Sequence, residues 1–186
     1  LASFPDRPQD VVIPRAEVDA YCNDPDYTGF NNATSVHGYF MIQSNGKLRY
    51  DCVVTAYFTA ANNRSYYTDT GVSYGTRARE LIREGLAVLD GAGFDFTICD
   101  GDGNDRVDGV NCFYAGSVVN DWAEGLWPHM SSTSYDGLLS HGMSKYFSYQ
   151  ISELGTSLDL GTFCHENGHM TCGFPDLYSY DGNAAR

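Results

Sequence analysis

Basic residues are scarce in this chain. Eleven Lys and Arg stand against 24 Asp and Glu, a formal charge of -13, and only three of the eleven follow residue 85. Phosphate backbones are bound by basic surfaces, so nucleic acid is excluded as the main partner. Long hydrophobic runs are missing too: no stretch approaches the roughly 20 apolar residues that a membrane span requires. There is no internal repeat, linker or low-complexity run, so residues 1–186 are read as a single domain. No secretory leader stands at Leu1-Ala2-Ser3-Phe4, which reads as the tail of a buried strand. The expectation is a processed piece of a larger exported precursor, shortened at both ends.

What is present suits an exported globular protein. Hydrophobic residues at 42% and aromatics at 14% are enough to build a core and argue against wholesale disorder. The cysteines number six, an even count, alongside 14 Tyr and 20 Gly. Disulfides and a secreted, extracellular location are expected. Cys99 and Cys112 flank an Asp/Gly loop and could staple it. Cys164 and Cys172 are a poor pair on one helix, where eight residues span about 12 Å.

Patterning predicts an α+β domain with a mixed, twisted sheet. Helices are predicted over 14–21 with Pro14 in the first turn, over 35–43 capped by Thr34, and over 75–90 capped by Ser73. In the third, Ala78, Leu81, Ile82, Gly85, Leu86 and Leu89 form one stripe. Strands are predicted over 1–4, over 110–119 with a bend at Gly116, and over 138–152 broken at Gly142. The alternation Leu48, Tyr50, Cys52, Val54 predicts another over 47–59. Segments 62–70 and 120–134 read as irregular. A last helix is predicted over 158–172, capped by Ser157.

That last helix carries His165-Glu166-x-x-His169. Residues four apart on a helix lie one above the other, so both imidazoles can converge on one point with Glu166 beside them. Two neutral imidazoles are good zinc (Zn2+) ligands, and a neighbouring carboxylate can serve as general base toward water. A hydrolytic zinc site has three protein ligands. Gly173 can end the helix in the left-handed conformation, and Phe174-Pro175 cannot continue it. Asp176 can therefore swing back under the metal. Cys172 is the rival third ligand, Asp181 a weaker one, and a residue beyond Arg186 another. No Glu follows Glu166 in this sequence to fill the role.

A second candidate site is Asp100-Gly101-Asp102-Gly103-Asn104-Asp105-Arg106-Val107-Asp108. Oxygen donors at alternate positions suggest a calcium (Ca2+) loop, with side chains from Asp100, Asp102, Asn104 and Asp108 and the carbonyl of Arg106. It differs from an EF-hand in having Asp105 at the sixth position and Asn111 at the twelfth. The ion would stiffen the loop.

The zinc motif with Pro175-Asp176-Leu177-Tyr178 after it resembles the secreted immune-inhibitor-A-type metallopeptidases. Further pieces match in order: Phe4-Pro5-Asp6-Arg7, Ser35-Val36-His37-Gly38-Tyr39-Phe40, Ser44-Asn45-Gly46-Lys47-Leu48, Asp95-Phe96, Val107-Asp108, Tyr114-Ala115-Gly116 and Trp127-Pro128-His129. Compared with the metzincin pattern there is one extra residue after His169, with Cys172 where the glycine would stand. The resemblance implies a zincin-like catalytic domain, made as a preproprotein and exported. In that family a Met-containing turn closes the zinc floor, and none of Met41, Met130, Met143 or Met170 is placed for it. The C-terminal part of the domain is thus expected to lie outside this sequence.

The function expected is an extracellular zinc metalloendopeptidase acting on proteins or peptides, with Glu166 as general base. His129, His141 and Tyr178 are candidate donors to the oxyanion. The alternative is a catalytically silent extracellular metal-binding or adhesion module on the same fold. A non-proteolytic zinc hydrolase ranks third.

Overall fold

The computed structural model describes residues 1–137 and 143–176. The readings placed on His141, Gly142, Tyr178 and Asp181 lie outside the described residues.

Five strands make one sheet: β1 (Ala2–Ser3), β2 (Phe58–Thr59), β3 (Val110–Ala115), β4 (His129–Ser134) and β5 (Tyr146–Leu154). Their order is β2-β1-β3-β5-β4. All neighbours are parallel except the edge pair β4·β5, which is antiparallel. The α-helices among the described residues are α1 (Arg15–Asn23), α2 (Val36–Gln43), α3 (Arg64–Tyr67), α4 (Thr76–Gly91) and α5 (Leu160–Cys172). The fold is therefore mixed α/β with a mostly parallel sheet.

Strand side chains alternate between the two faces, and here the faces feed two cores. Tyr114 on β3 and Phe147, Tyr149 and Ile151 on β5 pack with Leu81, Ile82 and Leu86 of α4. Phe113 on β3 and Leu154 on β5 pack with Tyr21 of α1, Phe40 of α2 and Phe163 of α5. Helix α5 thus lies on the sheet face opposite α4.

Several expected elements shift. Segment 47–59 pairs in the sheet only at β2. Its alternation is real as burial: Tyr50 and Val54 are buried while Arg49, Asp51 and Val53 are exposed. The backbone bonds elsewhere, with Asn23 donating from Nδ2 to the Cys52 carbonyl at 2.9 Å and accepting from the Cys52 N–H at 2.8 Å. Segment 62–70 contains α3, and 120–134 ends in β4, a polar edge strand without an apolar alternation to betray it. Ser35 rather than Thr34 caps α2, accepting from the Gly38 N–H at 3.1 Å. Helix α4 starts after Gly75, whose φ is 75°, with no side-chain cap. Asp159 rather than Ser157 caps α5, accepting from the Gly161 N–H at 2.7 Å.

The six cysteines are all free thiols in this structure. Cys22 and Cys52 are hydrogen-bond partners, and that bond together with burial pushes Cys22 well up from its ordinary value. The acidic loop is closed by the Asp108 N–H donating to the Cys99 carbonyl at 2.9 Å.

Candidate metal centre

Helix α5 is fixed before its histidines do anything. At its start, the Tyr21 hydroxyl donates to the Asp159 carbonyl at 2.9 Å. Asn32 donates to the Leu158 carbonyl at 2.9 Å and accepts from the Leu160 N–H at 3.3 Å. The Phe163 ring stacks on Phe113 with centroids 4.8 Å apart. In mid-helix, Asn167 is fully buried. Its Oδ1 accepts from the Tyr50 hydroxyl at 2.5 Å, and that hydroxyl accepts from Asn111 Nδ2 at 2.9 Å. Sheet, helix and the 47–57 segment are thereby tied at one buried point.

His165 and His169 sit one turn apart with their Nε2 atoms 3.1 Å from each other. Gly173, at φ 64° and ψ 25°, ends the helix. Its N–H donates to the His169 carbonyl at 3.1 Å, and the Phe174 N–H to the Gly168 carbonyl at 3.3 Å. The reversal carries the chain back over the last turn. It sets the Phe174 carbonyl 2.5 Å from His169 Nδ1. It also sets Asp176 Oδ1 3.3 Å from His165 Nε2 and 3.2 Å from His169 Nε2.

These three donor atoms fit a zinc ion. Ligands each about 2.0–2.1 Å from a tetrahedral zinc stand about 3.3 Å from one another, and the separations here are 3.1, 3.2 and 3.3 Å. The donor set, two imidazoles and a carboxylate, is one that zinc accepts. With Nδ1–H of His169 donated to the Phe174 carbonyl, the lone pair of its Nε2 is left for a metal. Cys172 is exposed, and the cluster around the two histidines, among the described residues, contains Asp176 and no cysteine.

Glu166 faces the same space. Burial pushes its carboxyl above the usual carboxylate range. His165 and His169 and a hydrogen bond from the Met130 backbone on β4 pull it down, and the Asp176 charge adds to the rise. The cleft measures about 970 Å³, and its lining includes Tyr74, Trp122, Trp127, His129, Glu153 and Glu166. His129 is engaged at both ring nitrogens, with Nδ1 2.7 Å from the Trp127 carbonyl and Nε2 3.1 Å from the Tyr149 hydroxyl. With Nδ1 the donor, Nε2 accepts, which leaves this ring no proton for a substrate oxygen.

Comparison with known protein families and with curated sequences finds no match for this chain.

The acidic loop brings together Asp100, Asp102 and Asp108. Asp100 accepts from the Asn104 N–H at 3.0 Å and the Asp105 N–H at 2.9 Å. Asp102 accepts from the Asn104 N–H at 3.2 Å and from Asn104 Nδ2 at 2.9 Å. Asp108 accepts from the Gly101 N–H at 3.0 Å. The Asn104 side chain serves Asp102 through its Nδ2. The loop ends beside α5, since a Cβ on Gly109 would stand 2.5 Å from the Met170 methyl carbon.

Sequence reasoning missed Tyr50, Asn111 and Asn167, and the cleft residues Tyr74, Trp122 and Glu153. One signal was available. Helical spacing from Phe163 places Asn167 on the inner face, and a buried Asn needs partners. Nothing local marks Tyr74 or Glu153.

Proposed function

We propose that this chain is a zinc-dependent endopeptidase with a zincin-like catalytic domain, exported and acting outside the cell. The observation that carries it is the triangle of His165 Nε2, His169 Nε2 and Asp176 Oδ1, with sides of 3.1 to 3.3 Å, beside Glu166 in an open cleft. The resemblance to immune-inhibitor-A-type metallopeptidases points the same way.

His165, His169 and Asp176 would hold the ion. When bound, zinc supplies an acidified water and polarises the scissile carbonyl. Glu166 would act as general base, taking up the proton that an attacking water gives up as its oxygen bonds to the carbonyl carbon. It then delivers that proton to the amine nitrogen as the C–N bond breaks. Its raised pKa fits both halves of that task, since a base that must later act as an acid works best near the ambient pH. The Met130 N–H on the edge strand holds the carboxylate in place. The Phe174 carbonyl holds the ring of His169.

The carboxylates of Asp100, Asp102 and Asp108 would take a calcium ion that stiffens their loop. Of the disulfides expected in an oxidising compartment, Cys22 with Cys52 is a candidate pair, since Cys52 is the main influence on the Cys22 thiol.

The test is cleavage of casein and of a quenched peptide by the zinc-loaded chain, with and without chelator, for wild type and Glu166→Gln. Chelator-sensitive cleavage is expected in wild type and is expected to be lost in the variant while its zinc content stays. Cleavage that survives Glu166→Gln would sink the mechanism. No cleavage by the zinc-loaded wild type would favour the binding or adhesion module.

A further inference from the structure

We infer that Glu153 forms a subsite for a basic side chain of the substrate, an arginine or lysine beside the bond that is cut. The inference rests on the endopeptidase reading of the cleft and adds what the cleft selects.

Glu153 lies near the end of β5, opposite Tyr114 of β3. Side chains on a strand alternate, so Tyr149, Ile151 and Glu153 share a face. The first two are fully buried and apolar in company. A carboxylate is out of character at the third place. Its Oε2 is buried and has no hydrogen-bond partner. A buried charged oxygen without a partner is costly to the fold. In a purely structural role this residue would be expected to carry a cation or a donor beside it.

Among the described residues, no Lys or Arg lines the cleft. Arg64, which shares the surroundings of Tyr114 with Glu153, engages its two terminal nitrogens elsewhere, while its buried Nε has no hydrogen-bond partner. It pairs with Asp10 Oδ2 at 3.3 Å and donates to the Ser117 carbonyl. From the cleft, a cationic side chain of a ligand would supply the counter-charge.

The space for it exists. Glu153, Val118 and Thr162 line the main cleft beside His165, and the same three line a second cavity of about 200 Å³. A long side chain entering past the metal ligands would therefore pass Glu153 on its way into a side pocket. Trp122, 75% exposed, lines the main cleft as well. An indole face suits the alkyl stem and cationic head of Arg or Lys. The formal charge of -13 draws cationic peptides toward the molecule in the first place.

Two measurements test the subsite. The first is cleavage of a peptide library, with products identified by mass, followed by matched quenched peptides carrying Arg, citrulline, norleucine or Glu at the preferred place. Wild type is expected to favour Arg over citrulline by about tenfold or more in kcat/KM. Glu153→Gln should bring the ratio to within about threefold, and Glu153→Asp should keep part of it. Circular dichroism and the thermal midpoint check that the variants are folded.

The second measurement needs no catalysis. Binding of acetyl-arginine amide and of acetyl-citrulline amide to the chain is followed by NMR or calorimetry. Selective binding of the arginine probe, lost in Glu153→Gln, supports the subsite even if no peptide is cut, and in that case only the peptidase reading falls. Equal cleavage after citrulline and arginine, equal binding of the two probes, or an arginine preference that survives Glu153→Gln in a folded protein each overturns the assignment.

Discussion

Two clusters of metal-ligating groups lie in this molecule, and they are held in opposite ways. In the loop of Asp100, Asp102 and Asp108, the hydrogen bonds to the carboxylates come from the loop's own Gly101, Asn104 and Asp105. An Asp/Gly-rich turn can take this shape with or without a cation. The His165, His169 and Asp176 cluster is framed from far away. Tyr21, Asn32, Tyr50 and Asn111 fix the helix, and the Phe174 carbonyl fixes a ring. Convergence of three donors backed by remote support is what a dedicated ion site needs, because ligand orientation is set by the groups behind the ligands. The difference says that the first ion would change the stability of a loop, and the second would change what the protein can do.

The strongest way to break this contrast is to remove one ligand from each cluster. His169→Ala should lose bound zinc after dialysis, read as metal content by atomic emission, and bring peptide cleavage to background. Asp100→Asn should keep both. Glu166→Gln should keep zinc and lower kcat by about 10²–10⁴-fold. Zinc retained by His169→Ala, or lost by Asp100→Asn, would reverse the roles of the two clusters.

A second change strikes the frame and not the ligands. Tyr50→Phe deletes the hydroxyl between Asn167 and Asn111, leaving the fully buried Asn167 Oδ1 without that donor. A buried polar group left unpaired costs about 1–3 kcal/mol. Urea unfolding should show that loss, and zinc affinity should weaken with it, since α5 carries both histidines. Asp102→Asn on the exposed loop should fall within about 0.5 kcal/mol in the absence of calcium. Equal losses for the two variants would mean that the remote frame does not set the zinc site apart.

How far the sequence reveals each cluster follows from distance along the chain. The proposed metal ligands and general base lie within twelve residues, so helical spacing and the Gly173-Phe174-Pro175 turn were enough to bring Asp176 to the histidines. The α4 stripe was legible for the same reason, and Ala78, Leu81, Ile82 and Leu86 are all buried. The cleft walls are another matter. Tyr74, Trp122, His129 and Glu153 come from separate elements, and no local period links them. Strand β4 hid because His129-Met130-Ser131-Ser132-Thr133-Ser134 lacks the apolar alternation of a half-buried strand. Segment 47–59 misled in the opposite sense. Its alternation recorded which side is buried, while its backbone found partners outside the sheet.

Calcium should act on one cluster alone. At a concentration near ten times its dissociation constant, an ion that binds only the folded loop adds about 1.4 kcal/mol. That corresponds to a rise of a few degrees in the thermal midpoint. The rise should vanish in Asp108→Asn, and zinc content should not respond. A calcium-induced rise that persists in Asp108→Asn would place the ion elsewhere.

The smallest effect expected belongs to neither cluster. Burial holds His129 below the ordinary imidazole value. Its hydrogen bond to the Trp127 carbonyl opposes this, and the charge of Arg79 reinforces it. The unfolded chain, titrating near about 6.5, takes up this proton at higher pH than the native one. Between the two values the unfolded state binds more protons, so stability rises with pH. The contribution is complete above about pH 6.5 and is lost as pH falls through the lowered native value. Tyr149 shares the Nε2 bond and Tyr74 lies against the ring, but neither titrates in that window, since burial raises both phenols. Unfolding free energy measured against pH should therefore lose part of its acid slope in His129→Gln. The lost part should be the same with calcium present or absent. A slope unchanged in the variant would mean that the ring takes up its proton at the same pH in the folded and unfolded chain, so that burial does not depress it.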